Sequence, residues 1–176
     1  MKLIILDRDG VINRESDLYI KSPDEWSPLK GSLEAISQLN KNNWKVCIAT
    51  NQSGIGRGLY TIDTMNLIHE KMKKELKKFN ANIDYISYCP HKPEDNCKCR
   101  KPKPGMYIEI GKLYNYDLNN AIVVGDSERD IVAAEKVGAK SMLVLTGKGK
   151  KTIKERNLPE RTTVYKNLAE VVKAII

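Results

Sequence analysis

Two aspartates one residue apart, Asp7 and Asp9, directly follow an apolar run in the opening segment KLIILDRDGVIN. In extended backbone, residues i and i+2 point the same way, so both carboxylates can face one small volume. Unpaired carboxylates in one volume repel each other, and a divalent cation removes that conflict. A third carboxylate, Asp126 in the segment VVGDSERD, is a further candidate ligand, and hard oxygen donors suit magnesium. The sequence therefore predicts a magnesium site formed by Asp7, Asp9 and Asp126.

An aspartate next to a glycine also commonly caps a turn, and this is the alternative for each of these residues. However, Asp7, Thr50 and Asp126 each come directly after the apolar residues of a predicted strand. In parallel α/β sheets, ligands bind at the carboxyl ends of the strands. We therefore expect these three distant positions to meet at one edge of a sheet and to form a functional site there.

Short apolar runs alternate with amphipathic stretches along the chain, a pattern typical of a parallel sheet covered by helices. The apolar runs predict strands at residues 3–6, 45–49, 83–88, 121–124 and 142–145. The amphipathic stretches predict helices at residues 32–40, about 62–79, from 104 onward, 128–137 and 168–176. Ser32 and Thr61 are the expected N-caps of the first two helices, and His69 lies on the second with no special role expected. We predict one α/β domain over residues 1–176, a doubly wound parallel sheet between helices.

The chain of 176 residues has 30 lysines and arginines against 22 aspartates and glutamates, a formal net charge of +8. This excess favours anionic partners, which include phosphorylated metabolites, nucleic acid and membrane surfaces. The basic stretches EKMKKELKKF and TGKGKKTIKER lack the interleaved aromatic residues of a single-strand binding platform, so we expect a solvated helix face and a mobile loop. No apolar run approaches the roughly 18 residues of a membrane span or forms a signal-peptide core, which predicts a cytoplasmic protein without a membrane partner.

Three cysteines and one histidine fall in the segment CPHKPEDNCKC, which supplies Cys89, His91, Cys97 and Cys99. A reducing cytoplasm disfavours disulfides, whereas three thiolates and one imidazole are a donor set for a closed tetrahedral zinc site. The spacing differs from that of a C-x-x-C finger, and the alternative is a set of scattered buried cysteines, such as Cys47 in its strand. We predict a structural zinc ion held by the four side chains of this segment.

Four segments, DRDG, ATNQSGIGRG, CRKPKPG and VVGDSERD, resemble in this order the four signature motifs of the haloacid dehalogenase superfamily of phosphatases. The resemblance covers nearly the whole chain and implies a magnesium-dependent phosphomonoesterase. By this resemblance, Asp7 is the nucleophile that becomes an aspartyl phosphate, and Asp9 is the acid and base. Asp7 and Asp126 hold magnesium together with the backbone carbonyl of Asp9. Thr50 and Lys101 hold the phosphate oxygens, although composition alone would make Lys101 an ordinary surface lysine.

The same resemblance implies a substrate pocket assembled from these motifs and from the loop after the first. The expected contact residues are Arg8, Glu15, Ser16, Asp17, Leu18, Asn51, Gln52, Ser53, Arg100 and Ser127. Ser127 stands where some relatives have a lysine. For Asp130 two alternatives stay open, a supporting role beside the metal or capping and pairing on its own helix. The order of cysteines and histidine also matches a structural zinc site of the family, which would fix Arg100 and Lys101 in place.

Many members of the superfamily carry a cap domain, inserted after the first or the second motif. Too few residues separate Gly10 from the first predicted helix, and the second motif runs straight into another helix, so we expect no cap domain. Arg57 and Arg100 favour a small-molecule substrate with two phosphates, a phosphorylated sugar. We expect the protein to act as a monomer. The alternatives are an amino-alcohol phosphate, whose phosphatases tend to have a carboxylate at the position of Ser53, a polynucleotide end, or a zinc-stabilised nucleic-acid binder. We expect no nucleic-acid partner.

Overall fold

A six-stranded sheet forms the centre of the computed structural model, which describes residues 1–156 and 158–176. Its strands are β1 (Lys2–Leu6), β2 (Trp44–Asn51), β3 (Tyr85–Cys89), β4 (Ile122–Gly125), β5 (Lys140–Val144) and β6 (Thr163–Tyr165). Their spatial order is β3-β2-β1-β4-β5-β6, and every neighbouring pair is parallel. The predicted doubly wound parallel sheet is confirmed. The direction of winding reverses between β1 and β4, where such sheets bind ligands.

Among the residues that the structure describes there are seven α-helices, six between strands and one after β6. They are α1 (Ser32–Lys41), α2 (Ser53–Gly56), α3 (Ile62–Lys77), α4 (Gly105–Leu113), α5 (Glu128–Glu135), α6 (Gly149–Glu155) and α7 (Leu168–Ile175). Alternate residues of β1 serve two separate cores. Ile4 and Leu6 pack in a cluster with α1, α3 and α7, whereas Leu3 and Ile5 pack in a cluster with α4 and α5. The apolar run of β1 is therefore buried on both faces, as its sequence predicts.

The structure confirms one local prediction and corrects two. Thr61 caps α3 as predicted, since its side chain accepts a hydrogen bond of 3.1 Å from the backbone N–H of Thr64. The prediction of Ser32 as a cap is wrong, because Gly31, with φ +81°, is the N-cap and Ser32 is the first helical residue. The segment TGKGKKTIKER, expected as a mobile loop, contains α6. The short edge strand β6 was not predicted, because its residues form no separate apolar run.

The expectation of no cap domain is confirmed in the connections where one would be inserted, both of which the structure describes in full. Between β1 and α1 there is only a 3-10 turn, Pro23–Glu25, and between β2 and α3 only the short α2. Among residues 1–156 and 158–176, therefore, no second domain covers the carboxyl edge of the sheet. None of the described helices combines the length and apolar character that crossing a membrane requires.

Candidate active site

A pocket opens at the carboxyl ends of β1 and β2, beside the point where the strand order reverses. It is lined by Asp7, Asp9, Glu15, Ser16, Asp17, Tyr19, Ile20, Asn51, Gln52, Ser53, Arg57, Arg100, Arg129 and Lys148. The structure thus brings together residues from all four quoted motifs and from the loop after β1. Three predicted contact residues, Arg8, Leu18 and Ser127, are not among the residues that line this pocket.

Asp7 lies one residue beyond β1, where its backbone N–H still donates to Val124 at 2.9 Å and so extends the sheet. Its carboxylate Oδ1 is 3.1 Å from the ammonium of Lys101. Burial raises the pKa of Asp7, the positive charge of Lys101 opposes that effect, and the net pKa is about 6. Lys101 is itself buried, but the charges of Asp130 and Asp7 outweigh burial and raise its pKa. Lys101 is therefore a buried ammonium rather than a surface lysine.

The ammonium of Lys101 has three acceptors at hand. Besides Asp7, it donates to the carbonyl of Ala49 at 2.6 Å and lies 2.6 Å from Oδ1 of Asp130. An ammonium has three N–H donors, and these three oxygens lie close enough to accept from them. The backbone of Lys101 is fixed by Asn51, whose side-chain amide donates to the Lys101 carbonyl and accepts from its N–H, both at 3.1 Å.

Asp130 closes a capping box at the start of α5. Its Oδ2 accepts from the backbone N–H of Ser127 at 3.1 Å and from the Ser127 hydroxyl at 2.6 Å. Asp130 therefore caps its helix and pairs with Lys101, and its carboxylate also lies beside those of Asp7 and Asp126. Because the hydroxyl of Ser127 is used in the cap and the residue is buried, Ser127 is not placed to contact a ligand in the pocket.

Asp126 lies directly after β4 and carries a carboxylate that the fold leaves half satisfied. Its Oδ2 accepts from the backbone N–H of Lys148 at 2.7 Å, whereas its buried Oδ1 has no hydrogen-bond partner within residues 1–156 and 158–176. Burial and the charges of Asp130 and Asp7 raise the pKa of Asp126 to about 9. Oxygens of Asp7, Asp126 and Asp130 lie within 4.8 Å of one another. An unsatisfied carboxylate among carboxylates fits a hard divalent cation.

Asp9 faces the same pocket but in a different electrostatic setting. Its carboxylate accepts from the side-chain amide of Asn13 at 2.8 Å and from that of Gln52 at 3.0 Å. It also forms an ion pair with the guanidinium of Arg8, whose Nη2 lies 3.0 Å from Oδ1. Burial opposes ionisation of Asp9, but the charge of Arg8 and these hydrogen bonds outweigh it and lower the pKa of Asp9. Asp9 is therefore the carboxylate that stays ionised, and Asp7 and Asp126 hold protons more readily.

Arg8 is fully buried behind Asp9, which corrects the expectation that it contacts substrate. Its Nη1 lies 3.2 Å from Nε2 of His69, on α3. Arginine has only donors, so this nitrogen of His69 must be the acceptor of a neutral imidazole. Burial and the charge of Arg8 accordingly lower the pKa of His69 to about 3. His69 is thus a buried partner of Arg8 and not an ordinary residue on a solvated helix face.

Gln52 connects the remaining polar groups of this corner. Its Nε2 donates to the hydroxyl of Thr50 at 2.9 Å, and its Oε1 accepts from the hydroxyl of Tyr60 at 2.5 Å. Thr50, at the end of β2, is buried, so it lies beneath the pocket lining. The convergence of Asp7, Thr50 and Asp126 at one sheet edge, predicted from their positions after strands, is present.

The loop after β1 reaches the opposite wall of the pocket. Glu15 and Asp17 lie 3.1 Å and 3.6 Å from the ammonium of Lys148. The hydroxyl of Ser16 accepts from the backbone N–H of Leu18 at 3.2 Å. Leu18 is 75% exposed and does not line the pocket.

The side chains of Cys89, His91, Cys97 and Cys99 meet in one cluster, as predicted. The three sulfur atoms are 3.2 to 3.6 Å apart, and Nδ1 of His91 lies 3.4 Å from Cys99 Sγ and 3.6 Å from Cys89 Sγ. A zinc–sulfur bond of about 2.3 Å implies tetrahedron edges of about 3.8 Å, close to these separations. The donor set and its spacing fit a zinc ion. Cys47, buried in β2, lies outside the cluster.

The cysteine cluster holds the residue that follows it. The backbone N–H of Arg100 donates to Cys97 Sγ at 3.4 Å, and its guanidinium Nη1 donates to the carbonyl of His91 at 3.2 Å. Arg100 lines the pocket, and the next residue is Lys101. The loop thus links the cysteine cluster to two cations of the site.

Two cations of the pocket, Arg129 and Lys148, were not predicted from the sequence. Arg129 occupies the first turn of α5, where the helix dipole disfavours positive charge, and this unfavourable position was the available signal. Lys148 was hidden in a segment expected to be mobile. Its position is fixed because α6 follows at once and its backbone N–H binds Asp126.

Comparisons with known proteins agree with this site. A family model described as HAD-hydrolase-like matches residues 98–171. The chain is 51% identical to the D-glycero-beta-D-manno-heptose-1,7-bisphosphate 7-phosphatase of Bordetella bronchiseptica, covering 100% of this chain and 98% of that one. It is 47% identical to the protein of the same name from Pseudomonas putida, with 100% of both chains covered. The crystal structure of the B. bronchiseptica D,D-heptose 1,7-bisphosphate phosphatase, complexed with magnesium and phosphate, matches with a TM-score of 0.98 over 99% of this chain and 98% of that chain.

A parallel sheet of this order, with helices on both faces, is a Rossmann-like α/β fold, and its carboxylates are grouped at the switch point. The chain belongs to the haloacid dehalogenase superfamily, which confirms the resemblance carried by its four motifs. Within that superfamily it is a phosphatase, a phosphoric monoester hydrolase, similar to the heptose bisphosphate 7-phosphatases.

Proposed function

We propose that the protein removes the 7-phosphate of D-glycero-D-manno-heptose 1,7-bisphosphate through an aspartyl phosphate on Asp7. The relatives that bear this name support the substrate. One observation in the structure carries the proposal: the buried carboxylate of Asp7 faces a pocket whose more exposed lining includes the guanidinium groups of Arg57, Arg100 and Arg129. One phosphate can lie against Asp7 while cations remain for a second.

Asp7 is the nucleophile in this proposal. One of its carboxylate oxygens forms a bond to phosphorus as the bond from phosphorus to the sugar oxygen breaks. Lys101 keeps Asp7 available as a carboxylate, since its charge opposes the effect of burial and the resulting pKa of Asp7, about 6, lies below neutral pH. Thr50 lies near the end of β2 at the same edge, where it and Lys101 would hold the phosphate oxygens.

Asp9 is the acid and base. In the free protein its lowered pKa makes it a carboxylate, and a phosphate dianion placed beside it raises that pKa by like-charge repulsion. Asp9 can then take up a proton and pass it to the leaving alkoxide. In the second half of the reaction it accepts a proton from the water that attacks the aspartyl phosphate, so that phosphate leaves and Asp7 is regenerated.

Magnesium would be held by the carboxylates of Asp7 and Asp126 and by the backbone carbonyl of Asp9. The unpartnered Oδ1 of Asp126 and the raised pKa of that residue support a cation there. When bound, such an ion neutralises charge between the nucleophile and the phosphate and stabilises the transition state. Asp130 is committed to Lys101 and to its helix cap, so we assign it the positioning of Lys101.

Zinc at Cys89, His91, Cys97 and Cys99 would be structural, because all four tetrahedral positions are taken by protein donors. The polar loop over residues 90–100 includes a single 3-10 turn and little apolar core of its own. A metal that ties its ends together would order it. Arg100, held by the carbonyl of His91, would then present its guanidinium to substrate in a fixed position.

The substrate is tested by steady-state kinetics on both anomers of heptose 1,7-bisphosphate and on histidinol phosphate, with inorganic phosphate release as the readout. We expect kcat/KM for the preferred heptose bisphosphate to exceed that for histidinol phosphate at least about tenfold, or about 1.4 kcal/mol. The acidic residues that could bind the histidinol amine, Glu15 and Asp17, are paired with Lys148. Ser53 offers no carboxylate.

Arg100→Ala separates phosphate recognition from the chemistry. It should lower kcat/KM for the bisphosphate more than that for an aryl phosphate, because only the former has a second dianion to lose. Equal efficiency of the wild type on heptose bisphosphate and histidinol phosphate, or a preference for the latter, would overturn the substrate assignment and leave the phosphatase class intact.

A further inference from the structure

Arg129 differs from the other cations of the pocket in where it lies. It lies in the first turn of α5, directly before Asp130, and it lines the active-site pocket. It also lines a neighbouring cleft, whose other basic residues include Lys151 and Arg156. The side chain is partly exposed, whereas Lys101 is buried deep beside Asp7. Arg129 therefore lies at the border between the active-site pocket and the neighbouring cleft, whose lining does not include Asp7.

The guanidinium of Arg129 is free of partners in the part of the chain that the structure describes. Its Nε is buried without a hydrogen bond, and no ion pair among residues 1–156 and 158–176 includes it. The neighbouring cations are already engaged: Lys101 has three acceptors and Lys148 has two carboxylates. Arg129 thus has uncommitted donors on a group that can offer five.

Two sets of charges surround this guanidinium. Burial opposes its charge, but Asp130, Asp7 and Asp126 outweigh burial and raise the pKa of Arg129, so it stays a cation. Arg57 and Arg100 line the same pocket as Arg129 and carry the same charge. Three guanidinium groups therefore repel each other across one pocket. A phosphate dianion relieves that repulsion and supplies acceptors for their donors.

We propose that Arg129 binds the phosphate group that is not transferred, and that it thereby makes the enzyme selective for sugar bisphosphates over monophosphates. The inference rests on the proposed function and assigns a specificity-determining residue to it. The transferred phosphate lies against Asp7 and Lys101, at the buried end of the pocket. Arg129, at the border with the neighbouring cleft, can reach the other phosphate of the substrate.

The test compares Arg129→Gln, Arg129→Lys and the control Arg156→Gln. Arg156 lines only the neighbouring cleft and pairs with Glu128 at 3.3 Å. The readout is the ratio of kcat/KM for heptose 1,7-bisphosphate to kcat/KM for p-nitrophenyl phosphate, which has only the transferred group. We expect Arg129→Gln to lower this ratio about tenfold or more, the loss of a charge-assisted hydrogen bond. Arg129→Lys should lower it less, because lysine keeps the charge without the fork, and Arg156→Gln should leave it unchanged.

An unchanged ratio in Arg129→Gln overturns the proposal. So does an equal loss on both substrates, which would place Arg129 at the transferred phosphate, or an equal effect of Arg156→Gln, which would indicate the general charge of the cleft. If the wild type hydrolyses only the aryl phosphate, the proposed substrate fails, and inhibition by fructose 1,6-bisphosphate and by fructose 6-phosphate still decides the role of Arg129. Tighter inhibition by the bisphosphate in the wild type, lost in Arg129→Gln, supports that role, and equal inhibition in the wild type contradicts it.

Discussion

The guanidinium of Arg8 forms a fork on the carboxylate of Asp9, with Nη2 3.0 Å from Oδ1 and 3.1 Å from Oδ2 and with Nε 3.1 Å from Oδ1. The side chain of Arg8 is fully buried, so solvent does not reach this ion pair from the Arg8 side. The remaining nitrogen, Nη1, meets His69. Arg8 therefore fixes both the charge and the orientation of Asp9, and it acts on the reaction through Asp9.

Arg8→Lys tests this positioning role. The substitution keeps a positive charge but removes the planar fork, so Asp9 loses its fixed orientation. We expect kcat to fall roughly 10- to 100-fold with a smaller change in KM, since the fork does not contact substrate. Arg8→Gln should also destabilise the fold by about 1 to 3 kcal/mol, because Asp9, whose side chain is 22% exposed, loses its ion pair. Steady-state kinetics and urea unfolding measure the two effects, and a wild-type kcat in Arg8→Lys would refute the role.

The position of Arg8 also shows how far sequence reasoning reaches. The alternation of side chains in extended backbone predicts correctly that Asp7 and Asp9 face one volume, and it sends Arg8 to the other side. The expectation that Arg8 contacts substrate came from the family resemblance, and it did not take that alternation into account. Strand ends were predictable for Asp7, Thr50 and Asp126, because the parallel sheet brings them to one edge.

Other features depended on contacts that no local pattern contains. His69 is buried because it meets Arg8, a residue far away in sequence. Helix α6 begins at Gly149, where a side chain would collide with the carbonyl of Val144, so a glycine that reads as a flexible loop is required by close packing. Strand β6 has only three residues and is held by pairing with β5.

Magnesium should stabilise the protein in a pH-dependent way. The pKa of Asp126, ordinarily 3.8, is about 9 in the folded protein because of burial and the neighbouring charges of Asp130 and Asp7. A raised folded-state pKa contributes stability that is full below the unfolded pKa and is lost as pH rises through about 9. The metal must displace that proton, so it binds better at high pH. We expect excess magnesium to raise Tm more at about pH 8.5 than at about pH 6.

Thermal unfolding with and without magnesium at the two pH values measures this difference. Asp126→Asn is the control, because it removes the titrating carboxylate and should abolish both the magnesium response and its pH dependence. An equal shift of Tm at both pH values would contradict the assignment of Asp126 as a metal ligand.

Gly147 should be indispensable for the position of Asp126. Its φ is +53°, and a Cβ there would collide with the Asp126 carboxylate and approach Gly10. Gly58 is a matched control, since its φ is +71° but a Cβ there would meet open space. Both alanine substitutions strain the backbone by roughly 1 to 2 kcal/mol, whereas only Gly147→Ala displaces the carboxylate. We expect Gly147→Ala to lose magnesium-dependent stabilisation and at least about 100-fold in kcat, and Gly58→Ala to keep both. Equal effects of the two substitutions would show that strain alone matters.

The cysteine cluster should hold one zinc ion per chain, and its loss should disorder the loop that precedes Lys101. Cys97→Ser removes a donor, whereas Cys47→Ala removes a buried thiol outside the cluster. A structural zinc ion contributes roughly 10 to 16 kcal/mol in finger peptides. We expect Cys97→Ser to lose zinc and activity and to show fast hydrogen exchange over residues 90–100, while Cys47→Ala keeps its zinc. Absence of zinc from wild-type protein purified without chelator would exclude this site.

The covalent step on Asp7 is tested most directly by trapping the phosphoenzyme. In Asp9→Asn the nucleophile is intact but the base for hydrolysis is gone, so substrate and magnesium should convert the protein to a stable aspartyl phosphate. Acid quenching, intact mass measurement and peptide mapping should show one added phosphoryl group per chain, located on Asp7, and Asp7→Asn should show none. A phosphoryl group on another residue, or turnover by Asp7→Asn at a tenth of the wild-type rate or more, would contradict the mechanism.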